Sequence, residues 1–186
     1  MTLLGHSGPL AWKQVEQGLE ISLPDRTPCN FAYVFKVGAL DLRPSNILKK
    51  VAKPAADGSV TLLPGMAELN GSQIRVQNTA GHDYIACWDK PEESVSWRIK
   101  FPASGAYRVS IVYSAELADT DFVLELAGQK LSATAKKTRT WFDYGTLTLD
   151  PVTVEKGGGA DLTIRAKDPA KWKAMNIREI RLTTPR

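Results

Sequence analysis

What this sequence lacks first is helix. Nowhere do apolar residues recur at three- and four-residue intervals across a dozen positions, the spacing that lets a helix bury one face. Internal repeats are missing too, which excludes a solenoid or a propeller. No apolar run approaches the ~20 residues that cross a bilayer as a helix. The opening MTLLGHSGPLAW has no basic segment leading into a long apolar stretch, so it reads as carrying no secretory signal. Histidine and cysteine are scarce: His6 and His82, Cys29 and Cys87. Zinc draws several such ligands at close spacing, and a hydrolytic triad needs a well-placed histidine, so neither pattern is supplied. The two cysteines lie far apart in apolar, strand-like surroundings. A disulfide between them is compatible with the sequence, but buried free thiols fit better. Charge of one sign is also thin. The 24 Lys and Arg exceed the 20 Asp and Glu by a net +4, and the adjacent lysine pairs are Lys49-Lys50 and Lys136-Lys137. Basic residues scattered in this way form a solvated surface rather than a nucleic-acid footprint, so neither nucleic acid nor membrane is an expected partner.

What is present is strand. The stretch DYIACWDKPEESVSWRIKFPASGAYRVSIVYS, Asp83 to Ser114, reads as three strands and two turns. Val95, Trp97, Ile99 and Phe101 alternate with Ser96, Arg98 and Lys100, the period of a strand with one face buried and one wet. Pro102-Ala-Ser-Gly105 interrupts, and Tyr107, Val109, Ile111 and Tyr113 resume the inward face. So short a connection predicts antiparallel pairing of these neighbours. Trp97, Tyr107 and Tyr113 are expected in the core, with the indole nitrogen and the hydroxyls finding partners at the sheet margin.

Earlier in the chain, Leu19, Ile21 and Leu23 alternate inward, a turn follows at Pro24–Pro28, and Phe31, Tyr33, Phe35 and Val37 share one face. Three or so strands make a poor independent domain. Residues 1–40 therefore belong to a larger sandwich or complete one with the rest of the chain. Residues 41–58 have no sustained period and read as a linker, with one short helical turn over Ser45–Val51. From Ser59 to residue 186, strands recur at sandwich spacing, with turn signals at Asn70-Gly71, Ala127-Gly128 and Lys156–Gly159. The fold class is all-β: an antiparallel β-sandwich over 59–186, preceded by a short β segment.

Two resemblances follow from these residues. LLG…LAWKQVEQGLEISLPDRTPCNFAYVFKV resembles the last strands of the β-sandwich that follows the barrel in α-L-fucosidases of glycoside hydrolase family 29. The remainder is similar to the galactose-binding-like jelly rolls of carbohydrate-binding module families 6 and 35. That likeness is carried by Ala67-Glu68, Gly81-His-Asp-Tyr-Ile85 with Trp88, Val95-Ser-Trp97, Gly105-Ala-Tyr-Arg-Val109, Thr140-Trp141 and Met175-Asn-Ile-Arg-Glu-Ile-Arg-Leu182. Together they imply a non-catalytic module of an α-L-fucosidase-like glycoside hydrolase. The catalytic barrel would lie outside this chain, and a fucose- or galactose-containing glycan would be the partner. A secreted or periplasmic location is implied by the family alone.

Glycoside hydrolysis needs two carboxyl groups facing one sugar bond. The acid clusters here, Asp83, Asp89, Glu92 and Glu93 and then Asp119 and Asp121, fall at expected turns, where solvated acids and caps are usual. No enzyme is expected. Families 6 and 35 often hold a structural calcium. The likeness places Glu68 as one ligand but puts Arg178 where an aspartate would stand, so a cation replaces an anionic oxygen. No cofactor is therefore expected, and Glu68 is expected to pair with Arg178 instead. Pyranose rings present an apolar C–H face that stacks on Trp or Tyr, with amides and hydroxyls fixing the ring. The carbohydrate-binding candidates are Trp141, in the position of the family 6 loop tryptophan, with Trp172, Asn176, Trp88 and Tyr84 near the same end. The alternative is a structural or oligomerisation sandwich that binds no sugar, with exposed tryptophans as interface anchors.

Overall fold

The computed structural model describes residues 1–15, 18–29, 32–36, 38 and 50–184. The chain divides into two compact units, Met1–Lys49 and Lys50–Arg186. In the first, β1 (Thr2–Leu3), β2 (Trp12–Val15), β3 (Gly18–Ile21) and β4 (Phe35–Lys36) form two antiparallel pairs, β1 with β4 and β2 with β3. The expected inward face is only partly covered: Leu19 is 49% and Leu23 47% exposed, Tyr33 is also exposed, and Ile21 and Phe35 are half-buried. Phe31 and Val37 lie outside the described residues, as does most of the helical turn expected over Ser45–Val51.

The second unit is an all-β sandwich. Its strands are β5 (Val51–Ala52), β6 (Val60–Leu62), β7 (Glu68–Asn70), β8 (Arg75–Thr79), β9 (His82–Ala86), β10 (Ser94–Phe101) and β11 (Gly105–Ser114). They continue as β12 (Thr120–Leu126), β13 (Gln129–Ala135), β14 (Gly145–Thr148), β15 (Val152–Val154), β16 (Gly158–Ala166) and β17 (Asn176–Thr183). One sheet runs β13-β12-β16-β10-β5, with β7 also on β10; the other runs β14-β11-β17-β9-β8, with β15 on β11 and β6 on β17. The strands match the alternation read from the residues closely. Val51-Ala52, in the expected linker, is instead a short strand parallel to Arg98-Ile99 of β10.

The pairing of the Asp83–Ser114 stretch departs from expectation. Strands β9, β10 and β11 do not pair with one another in sequence; they alternate between the two sheets. The short Pro102–Ser104 turn is a corner that carries the chain from one layer to the other. Both inward faces then meet across the core, where the Phe101 and Tyr107 rings lie 4.7 Å apart. Pairing goes to distant partners, β10 with β16 and β11 with β17. The predicted core residues are buried, and their polar atoms find margin partners as expected. Trp97 Nε1 donates to the Leu63 carbonyl at 3.0 Å, Tyr107 donates to the Ala103 carbonyl at 2.9 Å, and the Tyr113 hydroxyl accepts from the Lys136 amide at 3.0 Å.

Two-residue hairpins close β8–β9 and β12–β13. Ala127 and Gly128 both take positive φ (50° and 77°), the mirror-image turn whose twist suits adjoining strands. A register shift between Val112 and Tyr113 makes Arg178 an extra residue on β17.

Candidate functional site

At one end of the sandwich a cleft of about 260 Å³ opens between segments far apart in sequence. Strand β8 contributes Gln77, the end of β9 and the following turn contribute Tyr84, Cys87 and Asp89, and the loop before β14 contributes Trp141 and Phe142. Asn176 lies at the start of β17, with Ala174 just before it.

The Trp141 loop is held by its backbone. The Trp141 amide donates to Glu116 Oε2 at 2.9 Å, and its carbonyl accepts Ser114 Oγ at 2.7 Å and Asn176 Nδ2 at 3.4 Å. Thr138 adds a reciprocal clasp: its amide donates to the Ala115 carbonyl and its hydroxyl accepts the Ala115 amide. The Trp141 side chain is thus left half-buried on the cleft wall while the main chain carries the anchoring. Asn176, almost wholly buried, holds that loop as well as lining the cleft.

The opposite wall is built around Gln77. Its amide oxygen accepts from the Tyr84 hydroxyl at 3.3 Å, and its amide nitrogen faces Cys87 Sγ at 3.6 Å. Tyr84 shares a further hydrogen bond with Thr79 Oγ1 at 3.0 Å. The Tyr84 ring meets Phe142 edge-to-face, centroids 6.2 Å apart and planes at 87°. Phe142 is 60% exposed and forms an apolar rim that the sequence reading did not single out. Its one sequence signal was adjacency to Trp141 in a polar loop. Behind Tyr84, burial and the nearby Tyr84 hydroxyl push the Tyr144 hydroxyl above its ordinary value, against the pull of Arg178.

Two of the expected sugar-binding tryptophans do not reach this cleft. Trp88 has no exposed surface and Trp172 only 7%; both belong to the hydrophobic core. Their rings pack with centroids 4.9 Å apart and planes at 51°. Trp172 Nε1 donates to the Trp88 carbonyl at 2.9 Å, and Trp88 Nε1 donates to the Glu93 carbonyl at 3.1 Å. With indole nitrogens and faces committed inside the protein, these residues seal the end of the sandwich rather than stack on a ligand.

Glu93 extends that seal and corrects the reading of its cluster as solvated. It is 2% exposed, and its carboxylate accepts the amides of Ser72 (2.6 Å), Gln73 (2.7 Å) and Ile74 (3.0 Å), just before β8. Burial pushes its carboxyl up, but the three amides and Lys90 together outweigh burial and hold it below the usual glutamate range. Gly71 is required beside it, because a Cβ there would lie 2.4 Å from Glu93 Cδ. Other clustered acids also serve structure: Asp83 accepts from Asn78 Nδ2 at 2.7 Å, and Asp119 holds Lys136 and the Lys137 amide, each at 2.8 Å.

The expected Glu68–Arg178 contact is replaced by others. Glu68 stands opposite Ser96 on β10, close enough to Arg98 to help raise its pKa. Arg178 lies in the other sheet, its guanidinium 5.4 Å from the Tyr144 ring centroid. Among the described residues, no group of three or more His, Cys, Asp or Glu side chains converges where it could hold a metal ion. The cysteines are not joined, and neither is buried: Cys29 is exposed, and Cys87, at φ 56°, is half-buried on the cleft wall.

No protein-family model and no curated protein matches the chain. Solved structures do. A family 35 carbohydrate-binding module from Clostridium thermocellum aligns over 68% of this chain and 98% of its own, at 13% identity and a TM-score of 0.58. A family 6 module from Clostridium stercorarium in complex with cellobiose aligns over 67% and 93%, at 13% identity and a TM-score of 0.55. The Podospora anserina GH26–CBM35 β-(1,4)-mannanase matches 70% of this chain, at 20% identity and a TM-score of 0.56; the match spans 29% of that enzyme's length. The fold is the jelly roll of these carbohydrate-binding modules.

Proposed function

We propose that this chain is a non-catalytic carbohydrate-binding module and that the cleft at Trp141 holds a sugar. One observation carries the reading: Trp141, Tyr84 and the exposed Phe142 border a cleft that also presents the amides of Gln77 and Asn176. An apolar wall for a pyranose C–H face, with amides to meet hydroxyls, is the chemistry that sugar recognition requires. At about 260 Å³ the cleft is near the lower end of ligand pockets, suited to a short stretch of glycan rather than a long chain. Modules of this fold supply a context, since the Podospora protein joins one to a mannanase.

The finer reading is that the parent protein is an α-L-fucosidase-like glycoside hydrolase acting outside the cytoplasm on fucose- or galactose-containing glycans. It rests on the resemblance of residues 1–40. The module would act by proximity, keeping the glycan near the catalytic domain and raising its effective concentration. A second reading, a structural or oligomerisation sandwich, draws on the exposed Trp12, Tyr33 and Val34 of the first unit. Glycan-array binding alongside solution mass tests both. Selective binding of galactosides or fucosides by a monomer supports the first reading, and an oligomer that retains no glycan supports the second.

A further inference from the structure

We infer, resting on the sugar-binding reading above, that the cleft selects uncharged sugars over uronates and that Asp89 is the residue that decides it. Among the described residues lining the cleft, Asp89 alone is charged, and it is exposed. The rest of the lining is aromatic, amide, alanine or thiol. Of the basic residues in adjoining segments, Arg75 of β8 is exposed opposite Ala86 but does not line the cleft, and three others hold partners of their own. Lys90 donates to Ser72 Oγ at 3.0 Å, Arg139 pairs with Asp143 at 3.0 Å, and Arg178 is held over Tyr144. A sugar carboxylate entering the cleft would therefore meet a like charge and find no lining cation to neutralise it.

This selection opposes the field of the whole chain. A net charge of +4 attracts anionic polysaccharides at long range, so steering alone would favour uronates. Near the ligand, a carboxylate a few ångströms away outweighs that diffuse attraction, because the interaction falls off with distance and is screened beyond about 8–10 Å. For a partly solvated like-charge contact, affinity should fall about threefold to tenfold.

The test uses gluco- and galacto-configured trisaccharides and their uronate counterparts, measured by calorimetry or NMR titration on the full chain. EDTA is present throughout so that no cation bridges the two carboxylates. The neutral member of a series should bind about threefold to tenfold more tightly than its uronate. Asp89→Asn should bring that ratio to within about twofold, and 1 M salt, with a screening length of about 3 Å, should do the same for the wild-type chain. Equal or tighter uronate binding by the wild-type protein overturns the inference and leaves the sugar-binding reading standing. A preference that persists in Asp89→Asn and in high salt overturns the role of Asp89. Absence of binding by every member of both series, together with no retention of any sugar on the glycan array, removes the reading and the inference together.

Discussion

The indole N–H of Trp172 donates to the backbone carbonyl of Trp88 at 2.9 Å, across 84 residues of sequence. The Trp88 indole passes the connection on to Glu93, whose carboxylate caps three amides ahead of β8. Two tryptophans that resemble ligand platforms in sequence are thus part of the frame that carries the cleft. Trp88→Ala should cost about 3–5 kcal/mol of stability through the cavity it leaves. Trp172→Phe should cost about 1–2 kcal/mol, since a buried carbonyl loses its donor. Urea unfolding measures both, and a Trp172→Phe protein that remains folded should keep its glycan affinity.

Trp141 is expected to behave in the opposite way. Its main chain, not its ring, makes the contacts to Glu116, Ser114 and Asn176. Trp141→Ala should therefore unfold within about 0.5–1 kcal/mol of the wild type while losing more than tenfold in glycan affinity, about 1.4 kcal/mol or more. Affinity chromatography on a galactoside or fucoside matrix reads this directly; unchanged retention would move the site elsewhere.

Glu116 acts on Trp141 through the backbone amide, so its influence on binding is positional. Glu116→Ala should weaken glycan binding about threefold to tenfold. Glu116→Gln keeps a side-chain oxygen in reach and should stay within about twofold. A role in stability alone would lower the melting temperature of both variants without separating their affinities.

Glu93 should make stability depend on acid. Its folded pKa lies below its unfolded value, so its contribution is complete above about pH 4.3, the ordinary glutamate value. The contribution is lost as pH falls through the depressed one. Glu93→Gln should cost about 2–3 kcal/mol at pH 7 and flatten stability between about pH 4.3 and the acid transition. Gly71→Ala should be similarly damaging, because the new methyl group would occupy the space of the Glu93 carboxyl. Denaturation series at stepped pH separate these outcomes.

Strand positions were legible because burial on one face writes itself into alternation. Val95, Trp97, Ile99 and Phe101 are buried as their spacing predicts. Which strands pair was not legible from the short Pro102–Ser104 connection, since a corner between layers and a hairpin use the same turn residues. The sequence also singled out three residues that line the cleft: Trp141 in a polar loop, Asn176 at the start of β17 and Tyr84 within β9. Trp88 and Trp172 look equally loop-like in sequence, and only their contact with each other decides that they are buried. Glu93 sits in a run of charges around Pro91 that reads as a solvated turn. Its partners are amides some 20 residues upstream, and no local pattern announces them. Phe142 escaped notice because one exposed aromatic beside a tryptophan carries no periodic signal.

Strand β17 has a further consequence, for the order of folding. It sits in the interior of its sheet, with β11 on one side and both β9 and β6 on the other, and it pairs Leu62 with Ile180. The second and the last strands of the unit therefore meet only after nearly all of it has been synthesised. On the ribosome, the earlier strands must wait with an open slot between β11 and β9, and chain shortened before Asn176 should remain a protease-sensitive, aggregation-prone intermediate.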